Sequence, residues 1–186
     1  MSERMDWGAF EAYMAHSERF FARTRQSLDS FLRDICGDKL DEFLASRESA
    51  ERYLHDPSWI LRWTAISVLE RFWGCNKELA AACERLALED PHEQVRRSAL
   101  STLVCCYTRT NDRRIGALLA KIVRDADRSL EIRQTAYHGL FRVKGVNPPE
   151  RPIPGRYRIP KDIDWAFVDS FLDGNRHRRS GPIEGL

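Results

Sequence analysis

Three arginines each stand six residues behind an aspartate: Arg62 behind Asp56, Arg96 behind Asp90 and Arg133 behind Asp127. A guanidinium presents a planar fork of donors that matches the two oxygens of a carboxylate. Repeated in register, such pairs predict a ladder of charge-assisted bonds between successive units rather than a reactive centre. Behind each Arg, Ala and Leu follow at helical spacing: Ala65 and Leu69, Ala99 and Leu103, Ala136 and Leu140.

A second set of residues has recognition chemistry. On the helices that carry the ladder arginines, the face opposite the apolar stripe presents Trp63, Ser67 and Glu70, then Arg97, Ser101 and Val104, then Gln134, His138 and Phe141. Trp63 beside Arg97 has the make-up of a binding anchor, a large apolar ring next to a cation. A cluster of Arg96, Arg97, Arg109, Arg113, Arg114, Lys121, Arg124 and Arg128 adds positive charge. Phosphate binding needs such charges on one face. Arg113 and Arg114 stand at a helix start, the unfavourable end for cations, which hints at a use beyond stability.

Catalytic motifs are lacking. There is no phosphate loop, no nucleophile elbow and no His-Glu-x-x-His, and His138 has no assignable nucleophile or orienting acid. The five cysteines, Cys36, Cys75, Cys83, Cys105 and Cys106, form no Cys-x-x-Cys pair, and the histidines are scattered, so neither a metal nor a cofactor is expected. The cysteines read as small, mostly buried apolar residues in a reducing compartment.

The elements that must position these residues are helices. Asp56, Asp90 and Asp127 are 34 and 37 residues apart, a period that marks a helical repeat array. Three helix pairs are expected, 39–54 with 59–73, 77–88 with 92–107, and 113–125 with 129–143. Asp56-Pro57 and Asp90-Pro91 read as N-cap and first helical position, while Gly74 and Gly145 end helices. Residues 1–38 lack the pattern and read as an N-terminal helical cap. Beyond 145 come a Pro-rich linker, a short apolar helix at 164–172 that either folds back to cap the last repeat or docks in a partner's groove, and a flexible tail to residue 186.

The three Asp-(Pro)-…-aliphatic-Arg-x-x-Ala-x-x-x-Leu units, over about residues 39–145, resemble HEAT repeats of the short bacterial kind. The third unit departs from the pattern, with Arg128 in place of Pro and Gly139 inside its second helix. The resemblance implies an all-α, right-handed α-solenoid in one domain, 1–145. It also implies a scaffold or binding role, with alkylpurine DNA glycosylases as a minority of such proteins.

Charge is divided along the chain. Residues 1–94 hold 12 Lys/Arg against 18 Asp/Glu, and residues 95–186 hold 18 against 10. Such polarity steers a charged partner, but a pI near 8.3 is not the basicity of a nucleic-acid binder. No spanning apolar run or export signal is visible, so the cytoplasm is the expected compartment. The reading that follows is a non-enzymatic adaptor, of which an immunity or inhibitor protein is one form. It binds another protein with an acidic surface through the second helices. The alternative is a nucleic-acid-binding protein related to the glycosylases.

Overall fold

The computed structural model describes residues 39–153 and 157–172. The expected cap at 1–38 and the tail beyond 174 lie outside them. Among the described residues the fold is all-helical, without strands. The helices are α1 (Lys39–Ala45), α2 (Arg47–Arg52), α3 (Trp59–Val68), α4 (Lys77–Glu89), α5 (Glu93–Cys106), α6 (Arg113–Arg124), α7 (Leu130–Lys144) and α8 (Trp165–Ser170). A 3-10 turn, Tyr53–His55, prolongs α2, and a π-helical turn, Leu69–Trp73, prolongs α3.

Helices pair in chain order. α4 packs on α5 and α6 on α7, while the second members of each pair, α3, α5 and α7, pack successively on one another. The first unit is built from α1 and α2, both against α3. Each boundary has a local cause. Ser46, Asn76, Asp112 and Ser129 each accept an N–H of the first turn of α2, α4, α6 and α7, supplying an acceptor for a donor that the helix itself leaves without a partner. Gly74 and Gly145, with φ of 73° and 84°, take the left-handed backbone that stops the π turn and α7.

The core is the apolar stripe of every helix. Ala65, Val68, Leu69, Val95, Ala99, Leu103, Ile132, Ala136 and Leu140 are all buried. Phe72, at helical spacing from Val68 and Leu69, is nonetheless 44% exposed, because the π turn rotates the chain after Val68 and carries Phe72 and Trp73 outward. Gly139 does not weaken α7 to no purpose. A Cβ there would sit 2.6 Å from Cγ2 of Val104, so glycine is what permits the close approach of α7 to α5.

The C-terminal segment folds back on the third pair. Val168 is fully buried and Tyr157 and Ile163 nearly so. Phe167 stacks on Phe141 with ring centroids 4.4 Å apart, and the Phe171 ring occupies the space that a side chain at Gly116 would need. The Arg124 guanidinium lies 4.9 Å over the Trp165 ring and pairs with Asp169.

Candidate functional site

The charged residues of the repeat resolve into one strong rung. Arg62, buried on α3, donates from Nε and Nη2 to the two Asp90 oxygens at 2.7 and 2.8 Å, while its Nη1 donates to the carbonyls of Asp56 and Pro57 at 2.7 and 3.0 Å. The bond to Asp90 raises the guanidinium's proton affinity further. Arg96 repeats only the second half, donating to the carbonyls of Asp90 and Pro91 at 2.8 and 3.0 Å. Among the described residues Arg96 and Arg133 form no ion pair. Arg133 instead donates to the Val123 carbonyl at 2.9 Å.

Two expectations need correction. The aspartates are not N-caps: they follow the preceding helix, and each carboxylate accepts the N–H two residues on, Asp56 from Ser58 and Asp90 from His92, both at 2.8 Å. The N-cap positions fall to Ser58, His92 and Ser129. In the third unit that turn belongs to Asp125, which accepts from Asp127 N–H at 3.0 Å, so Asp127 is not the ladder residue. The loop there is two residues longer than its counterparts. Arg128 fills the extra length, pairing with Asp125 and donating to the Ala87 and Leu88 carbonyls at the end of α4.

The nine expected binding residues do not form one continuous strip. Trp63 is only 6% exposed, because α3 is buried almost all round: Arg62, Trp63, Thr64, Ala65 and Ile66 are consecutive buried residues. Val104 is buried beneath Gly139. Gln134 donates to the Tyr157 carbonyl at 3.3 Å and its own carbonyl accepts the Tyr157 hydroxyl at 2.9 Å, so the C-terminal segment covers it. Phe141 is covered by Phe167. Glu70 accepts the hydroxyl of the buried Thr102 at 2.8 Å. Ser67 donates to the Trp63 carbonyl at 3.0 Å.

What stays accessible is a polar band on α5 and α7. Ser101 is exposed, and Arg97 and His138 are half-buried. The register of the two helices is set by Val104 against Gly139 and by Arg142, whose Nη2 lies 3.3 Å from Cys105 Sγ. Continued one turn toward the N-termini, this register brings Ser101 beside His138. Burial, then the charges of Arg142 and Arg151, hold His138 below its ordinary value, so the imidazole is neutral at pH 7. Cations therefore converge on this band, and Arg97 has no carboxylate partner among the described residues. Arg142 and Arg151 were missed in the sequence. Arg142 was findable, since it lies four residues after His138 on the same helix face.

Half of the remaining basic cluster is neutralised internally, while Arg109, Arg113 and Lys121 are exposed and form no ion pair among the described residues. Arg114 pairs with Glu84 on α4, which explains a cation at the start of α6 as an inter-unit bridge. Arg124 pairs with Asp169 and Arg128 with Asp125. The cysteines also depart from expectation: Cys83 is buried, Cys105 and Cys106 are partly exposed and Cys75 is exposed. Burial, with Glu70 nearby, pushes the Cys105 thiol up to about 11. Among the described residues no group of three or more His, Cys, Asp or Glu is arranged to hold a metal ion, and no helix is long and apolar enough to cross a membrane. Compared with family models, curated proteins and solved structures, the chain matches none.

Proposed function

We propose that this chain is a non-enzymatic, cytoplasmic adaptor of the HEAT-repeat kind, its helix pairs stacked as a right-handed α-solenoid, that binds an acidic surface of another protein through α5 and α7. One observation carries the reading. Arg142 and Arg151 stand beside His138 and Arg97 lies one turn before Ser101 on α5, none of them in an ion pair among the described residues, whereas Arg114, Arg124 and Arg128 are taken up by internal ion pairs. A short cationic band with a neutral imidazole and a hydroxyl suits a patch of carboxylates on a folded partner. It is too small to follow a nucleic-acid backbone, for which many lysines and arginines must act together. An inhibitor that masks a toxin is one form of such an adaptor.

The test compares wild type with Arg97→Glu. A protein partner retained at about 200 mM salt, where non-specific phosphate contacts fail, should be lost with Arg97→Glu while the unfolding midpoint is unchanged. Tight retention of duplex DNA at that salt, or release of bases from alkylated DNA, defeats the reading. Toxicity of the partner, relieved by co-expression of this chain, distinguishes the inhibitor form from a scaffold.

A further inference from the structure

Helix α6 carries four cations, Arg113, Arg114, Lys121 and Arg124, and no carboxylate. At 3.6 residues per turn the four fall within about 100° of helical arc. The other side of the helix, with Ile115, Leu119, Ile122 and Val123, is buried, so the charge is gathered on one outward stripe. α6 is also the outer member of its pair, resting on α7 and α8 while α7 rests on α5. Two of the four charges are spent internally, Arg114 on Glu84 and Arg124 on Asp169. Arg113 and Lys121 are not, and the Asp112 carboxylate next to them is taken by the Ile115 N–H at 2.9 Å.

The fold brings further cations to this stripe. The loop ahead of α6 is tied to the end of α7, since Arg109 and Asn111 donate their N–H groups to the Arg142 and Val143 carbonyls at 2.8 and 2.9 Å. Exposed Arg109 and Lys144 therefore stand at the same end of the pair as Arg113. Lys144 Nζ lies 6.0 Å from the centre of the Phe171 ring, and that ring sits against Gly116, one turn along α6 from Arg113. Leu172 follows, half-exposed, and within seven residues of it come Arg176, Arg178 and Arg179 against the single carboxylate of Asp173. At no more than about 3.6 Å per residue, those arginines are tethered within about 25 Å of Leu172.

We propose that this outward stripe is a docking surface for an anionic phospholipid membrane, with Arg109, Arg113, Lys121 and Lys144 set against the headgroups. Each cation held near an anionic leaflet adds to the attraction, and several acting together attach a chain that has no spanning helix. Shape selects the lipid sheet over nucleic acid. An outer helix meets a flat surface along its whole stripe, about 17 Å from Arg113 to Arg124. Against a duplex, itself convex, the same stripe touches only a short line of phosphates. Trp165, Phe171 and Leu172 border the cations half-exposed and supply the apolar and aromatic rim that a headgroup layer accepts.

The full chain is sedimented with vesicles of phosphatidylserine and phosphatidylcholine, and with vesicles of phosphatidylcholine alone. Binding is expected to the first only, and should be lost between about 0.1 M and about 1 M salt as screening shortens the reach of each charge. Arg113→Gln combined with Lys121→Gln should weaken it about 25-fold, at about fivefold per charge, with an unchanged unfolding midpoint. Arg52→Gln, which removes an exposed cation of α2, should leave it unaltered. Should the double variant lose stability, Lys144→Gln, outside α6, should still weaken binding about fivefold. The proposal is overturned by equal binding to both kinds of vesicle, by binding to neither, or by variants of the stripe that bind like wild type. Duplex DNA retained as tightly as the anionic vesicles, at equal phosphate concentration and salt, overturns it as well.

Discussion

Arg62 grips Asp90 with two of its nitrogens and turns the third back on the loop carbonyls that precede its own helix. One side chain thus finishes the turn of the first unit and fastens it to the second. The pair is almost fully buried, with side-chain exposures of 10% and 2%. Removing one partner therefore strands a charge where water cannot reach it.

Asp90→Ala should accordingly cost about 3–5 kcal/mol, the usual penalty for orphaning one member of a buried pair. Asp127→Ala should change stability by less than about 0.5 kcal/mol, because it removes an exposed side chain outside the rung. Denaturant midpoints check both, and similar midpoints for the two variants would remove the distinction between Asp90 and Asp127.

Gly139→Ala improves helix propensity by about 1 kcal/mol yet should destabilise the protein. The added methyl collides with Val104, and overpacking of that kind costs about 1–3 kcal/mol. Pairing it with Val104→Ala should recover part of the loss. An additive double-mutant cycle would mean that the two residues do not meet.

Val168→Ala should cost about 2 kcal/mol, from two buried methyl groups at about 0.8 kcal/mol each plus a small cavity. Truncation after Lys144 should cost more and promote aggregation, because it uncovers Phe141 and Tyr137. A truncated chain as stable and monodisperse as the whole would show that the segment contributes nothing to the third pair.

His138 gives the protein an acid-sensitive component. Its folded value lies below the ordinary 6.5, so the unfolded chain binds the proton first. Stability from this group is complete above pH 6.5 and is lost as the pH falls toward the folded value. His138→Gln should flatten the stability profile between pH 7 and 5. The change in slope should be less than one proton's linkage, about 1.4 kcal/mol per pH unit, and is reduced further by solvent screening at this half-buried site. Parallel profiles for variant and wild type would count against a perturbed His138.

Most helix boundaries were legible to within a residue or two, because periodic apolar positions and the Gly74 and Gly145 stops are local signals. The interior of the first unit was less so: α1 breaks at Ser46, and α3 passes into a π turn whose cause has no local signature. The shift from Asp127 to Asp125 depends on loop length, which a six-residue spacing rule cannot see. The binding face was the least legible part. Helical spacing places Trp63 and Val104 opposite the stripe, but what packs over that side of a helix is decided by tertiary neighbours. Gly139 and Gly116 look like flaws in isolated helices and make sense only once Val104 and Phe171 are seen against them.

The longer loop at Asp125 has a mechanical consequence. The seam between the first and second units is riveted by a directional, bidentate bond, which holds at full strength until its geometry is lost. The seam between the second and third has no buried rung: it relies on the apolar contact of α5 with α7, on the solvent-exposed Arg114–Glu84 pair and on the Arg128 bonds of 3.3–3.4 Å to the end of α4. Apolar packing has no preferred direction and tolerates small sliding. Bending imposed on the stack is therefore taken up at the α5–α7 seam, which lies directly beneath Ser101 and His138. A load there reshapes the cationic band while the riveted end keeps its form.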